Sequence, residues 1–537
     1  MRFLSNRMVE IAHILEENGL IGGGVYNFSY LVMGPVLSFI AVASILVDYI
    51  LTAALSSVSA VENGLAFLGL DPGTKFIAEM IVIWAVAGLN ILGIKENAKV
   101  TFGIFVITAC FFLNFIISGF FEMGPREYQN IATGAKVAFD TVTGHGFFRG
   151  YWILIASVSS CILAYSGIES VLQTATFVKS WKDIRKAYLF LALTVGIVTP
   201  LVTALVLSHA HFDFAAHETD LIPYYASLLN GRWFGVFASV IAFITLVMAV
   251  NTAFVASSEL IERVAHRYNI QWIIKTNRFD SLYVLHISNA ILYSGIIFVT
   301  AGKQMVLAEM YALGLVGSFV INMGMLVLYR YQKGKTEAQG YTTSRVGTFL
   351  LFIILVSCFI YLMTHKPYGT ILWLSVTILA LTAGIFIARK RAPEIAQEMK
   401  GDSTMDLLLY MASHDEKNIN LYFKRPLDKP NLHTYGLSVY ITFYSPRRGI
   451  PPKMAENHFR LPVKRTNLYN NTLAILDLMA FEMPDHHVTV HFGWPTSNWL
   501  DRLSVGFMTY QIMQLPLHYP RFNFKIEQFS QAEKKKE

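Results

Sequence analysis

The sequence predicts an all-α, multi-pass membrane protein carrying a small α/β domain at its C-terminal end, and three observations lead there. Of 537 residues, 54% are hydrophobic and only 15% charged, which is too apolar for a soluble chain of this size. Ten apolar runs, near 34–59, 75–94, 100–120, 149–174, 185–209, 233–257, 283–302, 305–330, 346–365 and 369–389, each approach or exceed the length that carries a helix across a bilayer. After Arg391 the charges and prolines return and the apolar residues shorten into alternating runs. Residues 1–391 are therefore expected to form the membrane domain and 392–537 a separate domain.

In chain order, Met8 to Asn18 reads as a short amphipathic piece, too polar to span. The glycines of Gly22-Gly23-Gly24, followed by Tyr26 and Asn27, permit a tight bend. The run 34–59 holds Asp48, Tyr49, Thr52 and Ser56. Tyr49, Thr52 and Ser56 have the spacing i, i+3, i+7, which places three hydroxyls on one helix face. Such oxygens can replace part of an ion's hydration shell, or can instead bond back to helix carbonyls.

The run 149–174 is interrupted at LAYSGIESVLQ, residues 163–173. There Tyr165, Ser166, Gly167 and Glu169 bring hydroxyls, a flexible point and a carboxyl to membrane depth. Such groups are costly in lipid unless they face a cavity, a partner or a permeant solute. The stretch is read as a discontinuous helix beside a solute path. The plainer reading is a kinked helix with Glu169 near the interface.

Lys and Arg gather on one set of loops: Lys95 and Lys99; Lys179, Lys182, Arg185 and Lys186; Arg263, Arg267, Lys275 and Arg278; Arg330, Lys333, Lys335 and Arg345; then Arg389 to Arg391. Positive residues favour the cytoplasm, so the C-terminal domain is expected inside and the loop HAHFDFAAHETD, 209–220, outside. His209, His211 and His217 in that loop lack a second ligand cluster and are read as solvated. Cys110, Cys161 and Cys358 fall in apolar runs and are expected to pack as small hydrophobes, with neither metals nor disulfides.

In the last domain 437–444, 487–494 and 522–529 read as strands, and 470–483 and 497–513 as helices. Ser497 or Asn498 would cap the second helix. His487 and His491 share a strand face and are read as packed or surface residues rather than metal ligands. The closing KKKE reads as a solvated end. No Walker loop, nucleophile elbow, zinc-protease helix or nucleic-acid motif is present, so an enzyme, an ATP-driven pump or a nucleic-acid binder has no residues to stand on, and no cofactor is expected.

GGGVY from Gly22, VDYILTAALS (47–56), LNILGIKE (89–96), YSGIES (165–170), NTAF (251–254) and MYALGLVGSF (310–319) occur in the order seen in a known family. Over roughly residues 20 to 390 the chain resembles the amino acid-polyamine-organocation (APC) superfamily, and more narrowly the KimA-type potassium/proton symporters. The resemblance implies a five-plus-five inverted repeat of twelve helices whose first and sixth are broken at the solute site. The ten runs would be the third to the twelfth. The first helix is not represented, so a misassigned or truncated start is expected, with loss of part of the transport machinery as the alternative.

What the resemblance implies is a proton-coupled secondary transporter in a bacterial inner membrane, taking up potassium or, as the second reading, an amino acid or amine. Potassium-site roles fall to Tyr49, Thr52, Ser56 and Tyr311, and the coupling role to Glu169. Tyr165, Ser166 and Gly167 join the solute site. Asp48 would help structure it or pair with a base, and Glu309 stands where relatives are expected to have an apolar residue or proline. A non-transporting membrane sensor is the reading from another class. The expected partners are the solute, protons and the lipid bilayer. The resemblance also admits a homodimer and a nucleotide regulator on the C-terminal domain, though no nucleotide motif is visible there.

Overall fold

The computed structural model describes residues 2–17, 24–34, 36–94, 98–173, 180–209, 214, 217–333, 341–391, 402–414, 416–423, 435–444, 450–462, 468–495 and 514–529. Gly22, Gly23, Lys95, Lys179, His211, Lys335, the expected helix 497–513 with Ser497 and Asn498, and the closing KKKE lie outside them. The chain divides into two compact units, Met1–Val327 with Ala338–Lys390 and Leu328–Glu337 with Arg391–Glu537.

The first unit is helical: α1 Arg2–Glu17, α2 Gly24–Met33, α3 Ser38–Gly64, α4 Pro72–Ile91, α5 Ala98–Glu122, α6 Pro125–Thr143, α7 Gly146–Ser160, α8 Ile168–Gln173, α9 Trp181–Leu193, α10 Thr199–Ser208, α11 Leu221–Asn230, α12 Arg232–Arg267, α13 Tyr283–Thr300, α14 Gln304–Lys333, α15 Arg345–His365 and α16 Pro367–Arg391. Among the described residues nine helices are long and apolar enough to cross a membrane. A tenth is counted when α7 and the segment Ile162–Gln173, bent by 57° at their junction, are taken as one span. These ten correspond to the ten apolar runs.

The most apolar stretches of α3 and α14 are 78% and 72% buried, against 11% for α5 and 17% for α16. A bundle in lipid has no need to hide apolar side chains at its rim, so burial picks out the two helices at its centre. Val47, Leu51, Ala54, Val58, Val250, Phe254, Tyr293, Leu307 and Tyr311 share one packed cluster there. Gly314 lets α14 approach α3 closely, since a Cβ on it would lie 3.0 Å from Val47 Cγ1 and 3.3 Å from the Asp48 nitrogen.

The amphipathic piece at the start is longer than expected. The whole of α1 is helical, and its polar residues are buried because they tie it to neighbours. Arg7 Nε donates to Thr348 Oγ1 at 3.2 Å, Glu10 Oε2 accepts from Thr343 N at 2.9 Å, and Glu16 Oε2 accepts from Trp181 N at 2.7 Å. Between α9 and α10 a π-helical turn, Thr194–Val198, precedes Pro200. Proline has no N–H for the carbonyl one turn back, so the hydrogen-bond ladder slips there. Helices α6 and α11 lie between the apolar runs and escaped the sequence reading. Cys358 is buried as expected, whereas Cys110 and Cys161 are on the surface of the bundle.

The second unit holds α17 Thr404–Ala412, α18 Leu468–Glu482 and five strands, β1 Asn418–Phe423, β2 Leu437–Tyr444, β3 His458–Pro462, β4 His487–Pro495 and β5 Asn523–Phe529. All pair in parallel, in the order β3-β2-β1-β4-β5. Three strands and one helix match the expected elements. β1 and β3 were missed because they are short and Asn418, Asn420 and Arg460 interrupt their apolar residues. One sheet face, with Ile419, Leu421, Val439, Ile441, Val488 and Val490, packs on Leu407, Met411, Leu476 and Met479 of the helices. On the other face Tyr422 stacks between Tyr440 and His491, at 4.9 and 4.3 Å between ring centroids. Ser403 caps α17 in a reciprocal pair with Asp406, and Arg460 holds Asp402 through Nε at 2.9 Å and Nη2 at 3.2 Å.

Candidate functional site

The break between α7 and α8 is built by local chemistry. After α7 the backbone tightens into a 3₁₀ turn, Ile162–Tyr165, and Ser166 is extended. Gly167 then takes φ +91°, a conformation open to glycine and strained for other residues. The freed backbone groups find partners nearby, as they must at membrane depth. Gly167 N–H donates to Glu169 Oε1 at 3.0 Å, Ser170 Oγ donates to the Gly167 carbonyl at 2.9 Å, and Tyr188 on α9 donates to the Ile168 carbonyl at 2.8 Å.

Against this break stand α3 and α14. Ser166 Oγ and Tyr311 Oη are 2.5 Å apart, joining the break to α14. Asp48 and Tyr49 on α3 lie within electrostatic reach of Glu169 and Tyr311, and Thr52 lies beside Tyr311. Asp48 is fully buried and Glu169 is 3% exposed. The Asp48 and Glu169 carboxyls lie within hydrogen-bond reach of each other, and among the described residues no donor reaches either oxygen of Asp48 or Oε2 of Glu169, while the Tyr49 hydroxyl has no partner. Among the described residues no cationic side chain is bonded to the two acids, and the group that faces Asp48 is another carboxyl.

Residues 8–387 match the family model described as amino acid permease. The chain belongs to the amino acid permease family. It is an integral membrane protein. Over 351 residues it is 27% identical to the potassium transporter KimA of Bacillus subtilis (strain 168), an alignment that covers 63% of this chain and 56% of that protein. The chain thus spans little more than half the length of the curated relative it matches.

In this permease the structure brings together Asp48, Tyr49, Thr52, Ser166, Gly167, Glu169 and Tyr311, drawn from three stretches of the chain. Three further expected members show no hydrogen bond to this set among the described residues. Tyr165 packs with an apolar cluster that includes Ile162, Ala312 and Leu313. Ser56 is half-buried, one turn beyond Thr52 on α3. Glu309 is ion-paired with Lys366, and at two residues from Tyr311 it points about 200° away around α14. Thr52 Oγ1 donates to the Asp48 carbonyl at 2.8 Å, so the back-bonded arrangement holds and only the oxygen's acceptor side is left for a solute.

Two residues escaped the sequence reading. Tyr188 closes the far side of the break through its bond to Ile168. Gln173 is 1% exposed, and neither polar atom of its amide has a partner. It sits four residues after Glu169, one helical turn along the same face. That spacing, within the motif already singled out, was the available signal. Elsewhere, His217 is held by Asp220 at 3.0 Å and stacked on Tyr224, which accounts for it without a metal.

Proposed function

We propose that this permease is a secondary active transporter that couples uptake of a small monovalent cation, potassium first, to protons. The observation that carries the reading is the buried Asp48–Glu169 pair, two carboxyls facing each other with no donor to three of their oxygens and no bonded cation among the described residues. Two acids in such a setting need compensating positive charge, which a permeant cation or protons can supply in turn. The hydroxyls of Tyr49, Thr52, Ser166 and Tyr311 add the oxygens that replace a cation's water shell. The distant likeness to a potassium transporter supports the same solute.

An amino acid is the second reading, favoured by the family's description. Its carboxylate would need free N–H groups at the break. Gly167 N–H is already given to Glu169, and two further carboxyls would face that carboxylate, which argues against it. The test is rubidium and amino acid uptake by purified protein in vesicles under an imposed pH gradient. Accumulation of rubidium, competed by potassium and not by an amino acid panel, is the expected result, and the reverse competition would overturn it.

The second unit would lie in the cytoplasm, by the positive-inside pattern, and would regulate transport. In a parallel sheet of this order the direction of winding reverses between β1 and β4, where such sheets take ligands at their carboxyl ends. A small regulator such as a nucleotide would be read there. Changed uptake on adding it, lost on removing residues 402–537, would support that role.

A further inference from the structure

A second ionisable cluster lies away from the site, where α3 ends, α4 begins and α13 turns into α14. Glu79 on α4 is 3% exposed, and its Oε2 has no hydrogen-bond partner. Its own carbonyl accepts from Ser57 Oγ of α3 at 2.8 Å. The turn at Gly302 makes room for the carboxyl: a Cβ there would lie 2.6 Å from Oε2 and 3.2 Å from Oε1. One helical turn earlier, Lys75 is bonded to Glu62 Oε2 of α3 at 2.6 Å, and the same oxygen accepts from Thr219 at 3.2 Å. Gln304, which opens α14, gives Nε2 to Ser59 Oγ at 2.9 Å and leaves Oε1 buried without a partner.

The charged groups that face Glu79 are Glu62, from α3, and Lys75, from its own helix. With Glu79 ionised, two carboxylates share one ammonium that is already engaged. A proton on Glu79 makes the cluster neutral, and Lys75 and Glu62, at 27% and 16% exposure, give it an aqueous approach. The cluster is also in register with the site. Ser59 lies seven residues beyond Thr52 on α3, and Gln304 seven residues before Tyr311 on α14. Seven residues are close to two turns, about 10 Å, so the helices that present Thr52 and Tyr311 also present the bonded Ser59–Gln304 pair on the same faces.

We propose that Glu79 is a second proton-binding carboxyl of the transporter, the group that takes up the coupling proton at this end of the bundle before it reaches Glu169. The proposal deepens the proton-coupled reading and rests on it. The test is rubidium uptake into vesicles as the outer pH is varied, for wild type, Glu79→Gln and Glu79→Asp. Glu79→Gln, which keeps shape without titrating, is expected to lose the response to outer pH, whereas Glu79→Asp keeps a response with a displaced midpoint. A wild-type pH profile in Glu79→Gln overturns the proposal. If that variant does not reach the membrane folded, Lys75→Gln decides: removing the ammonium moves the profile to higher pH, and an unmoved profile overturns the assignment. Proton binding is also read without transport, as an infrared carboxylic acid band of purified protein that disappears on raising the pH and is missing from Glu79→Gln. A wild type with that band and no pH-driven uptake would defeat the transport reading alone, while a band unaltered in Glu79→Gln would defeat this one.

Discussion

Glu169 spends one carboxyl oxygen on the backbone of its own break and has no donor to the other beside the Asp48 carboxyl, so it both shapes the break and can take a proton. Glu169→Gln preserves the shape and removes titration. Solute accumulation against a gradient should be lost in that variant while exchange at equal concentrations persists, measured as counterflow in vesicles; full accumulation would remove the coupling role. Tyr311 and Thr52 should differ in weight. Tyr311→Phe takes away an oxygen and leaves Ser166 unpaired, costing about 1 kcal/mol, or roughly fivefold in apparent affinity for the proposed solute. Thr52→Val removes a hydroxyl whose proton is already committed to a helix carbonyl and should cost less. Equal losses from competition binding would contradict this ordering. The sequence disclosed Glu169 because a carboxyl in an apolar run announces itself. It could not disclose that Glu309 is paired 57 residues away with Lys366, since neither residue's neighbours point to the other.

At the scale of elements, the interruption at 163–173 was legible because hydroxyls, a glycine and an acid break an otherwise apolar helix, and the structure puts the non-α residues at 161–167. Its geometry invites a test of backbone alone. Space beside Gly167 is open, so a methyl group there meets no neighbouring atom within 4 Å and the cost is conformational. Gly167→Ala should lower thermal stability by about 1–2 kcal/mol through its positive φ and weaken uptake by disturbing the Gly167–Glu169 bond. A variant with unchanged melting and unchanged uptake would show that the break tolerates other backbone shapes. The elements that escaped the reading share a cause. β1 and β3 are too short for a period-two pattern to register, and α6 is a surface helix with no buried residue in the described chain. Amphipathic α1 was underestimated because Arg7, Glu10 and Glu16 look like surface residues until their partners on distant helices are known.

For the molecule as a whole, composition alone predicts a lipid-embedded part and an aqueous one, and acid should distinguish them. In the second unit burial works against ionisation of Asp402, but the bonds from Arg460 outweigh it and hold the carboxyl below its usual value. A depressed carboxyl contributes stability that is full above its unfolded value of about 3.9 and fades as pH falls through the lower folded value. Asp402→Asn should therefore lower the melting of this unit at neutral pH, by on the order of 1 kcal/mol, and the difference from wild type should shrink in strong acid. Calorimetry of the full chain at several pH values checks it; a difference that grows towards low pH would reverse the sign. Such long-range pairs, 58 residues apart here, are what a one-dimensional pattern cannot encode.

The close passage of α14 over α3 at Gly314 has a mechanical consequence. A carrier must present its cargo to each side in turn, and something has to stay still while something else swings. With only the Val47 side chain against the bare Cα of Gly314, α3 and α14 would act as a stator in the proposed cycle, holding Tyr49, Thr52 and Tyr311 at fixed separation. The rotor of that proposed cycle would be the jointed segment around Gly167, with the Ser166–Tyr311 bond as the contact where it touches the stator. Half of the cargo's oxygens would then never change place during a cycle, and the stroke consists of Ser166 and Glu169 arriving at and leaving a cradle that is already formed.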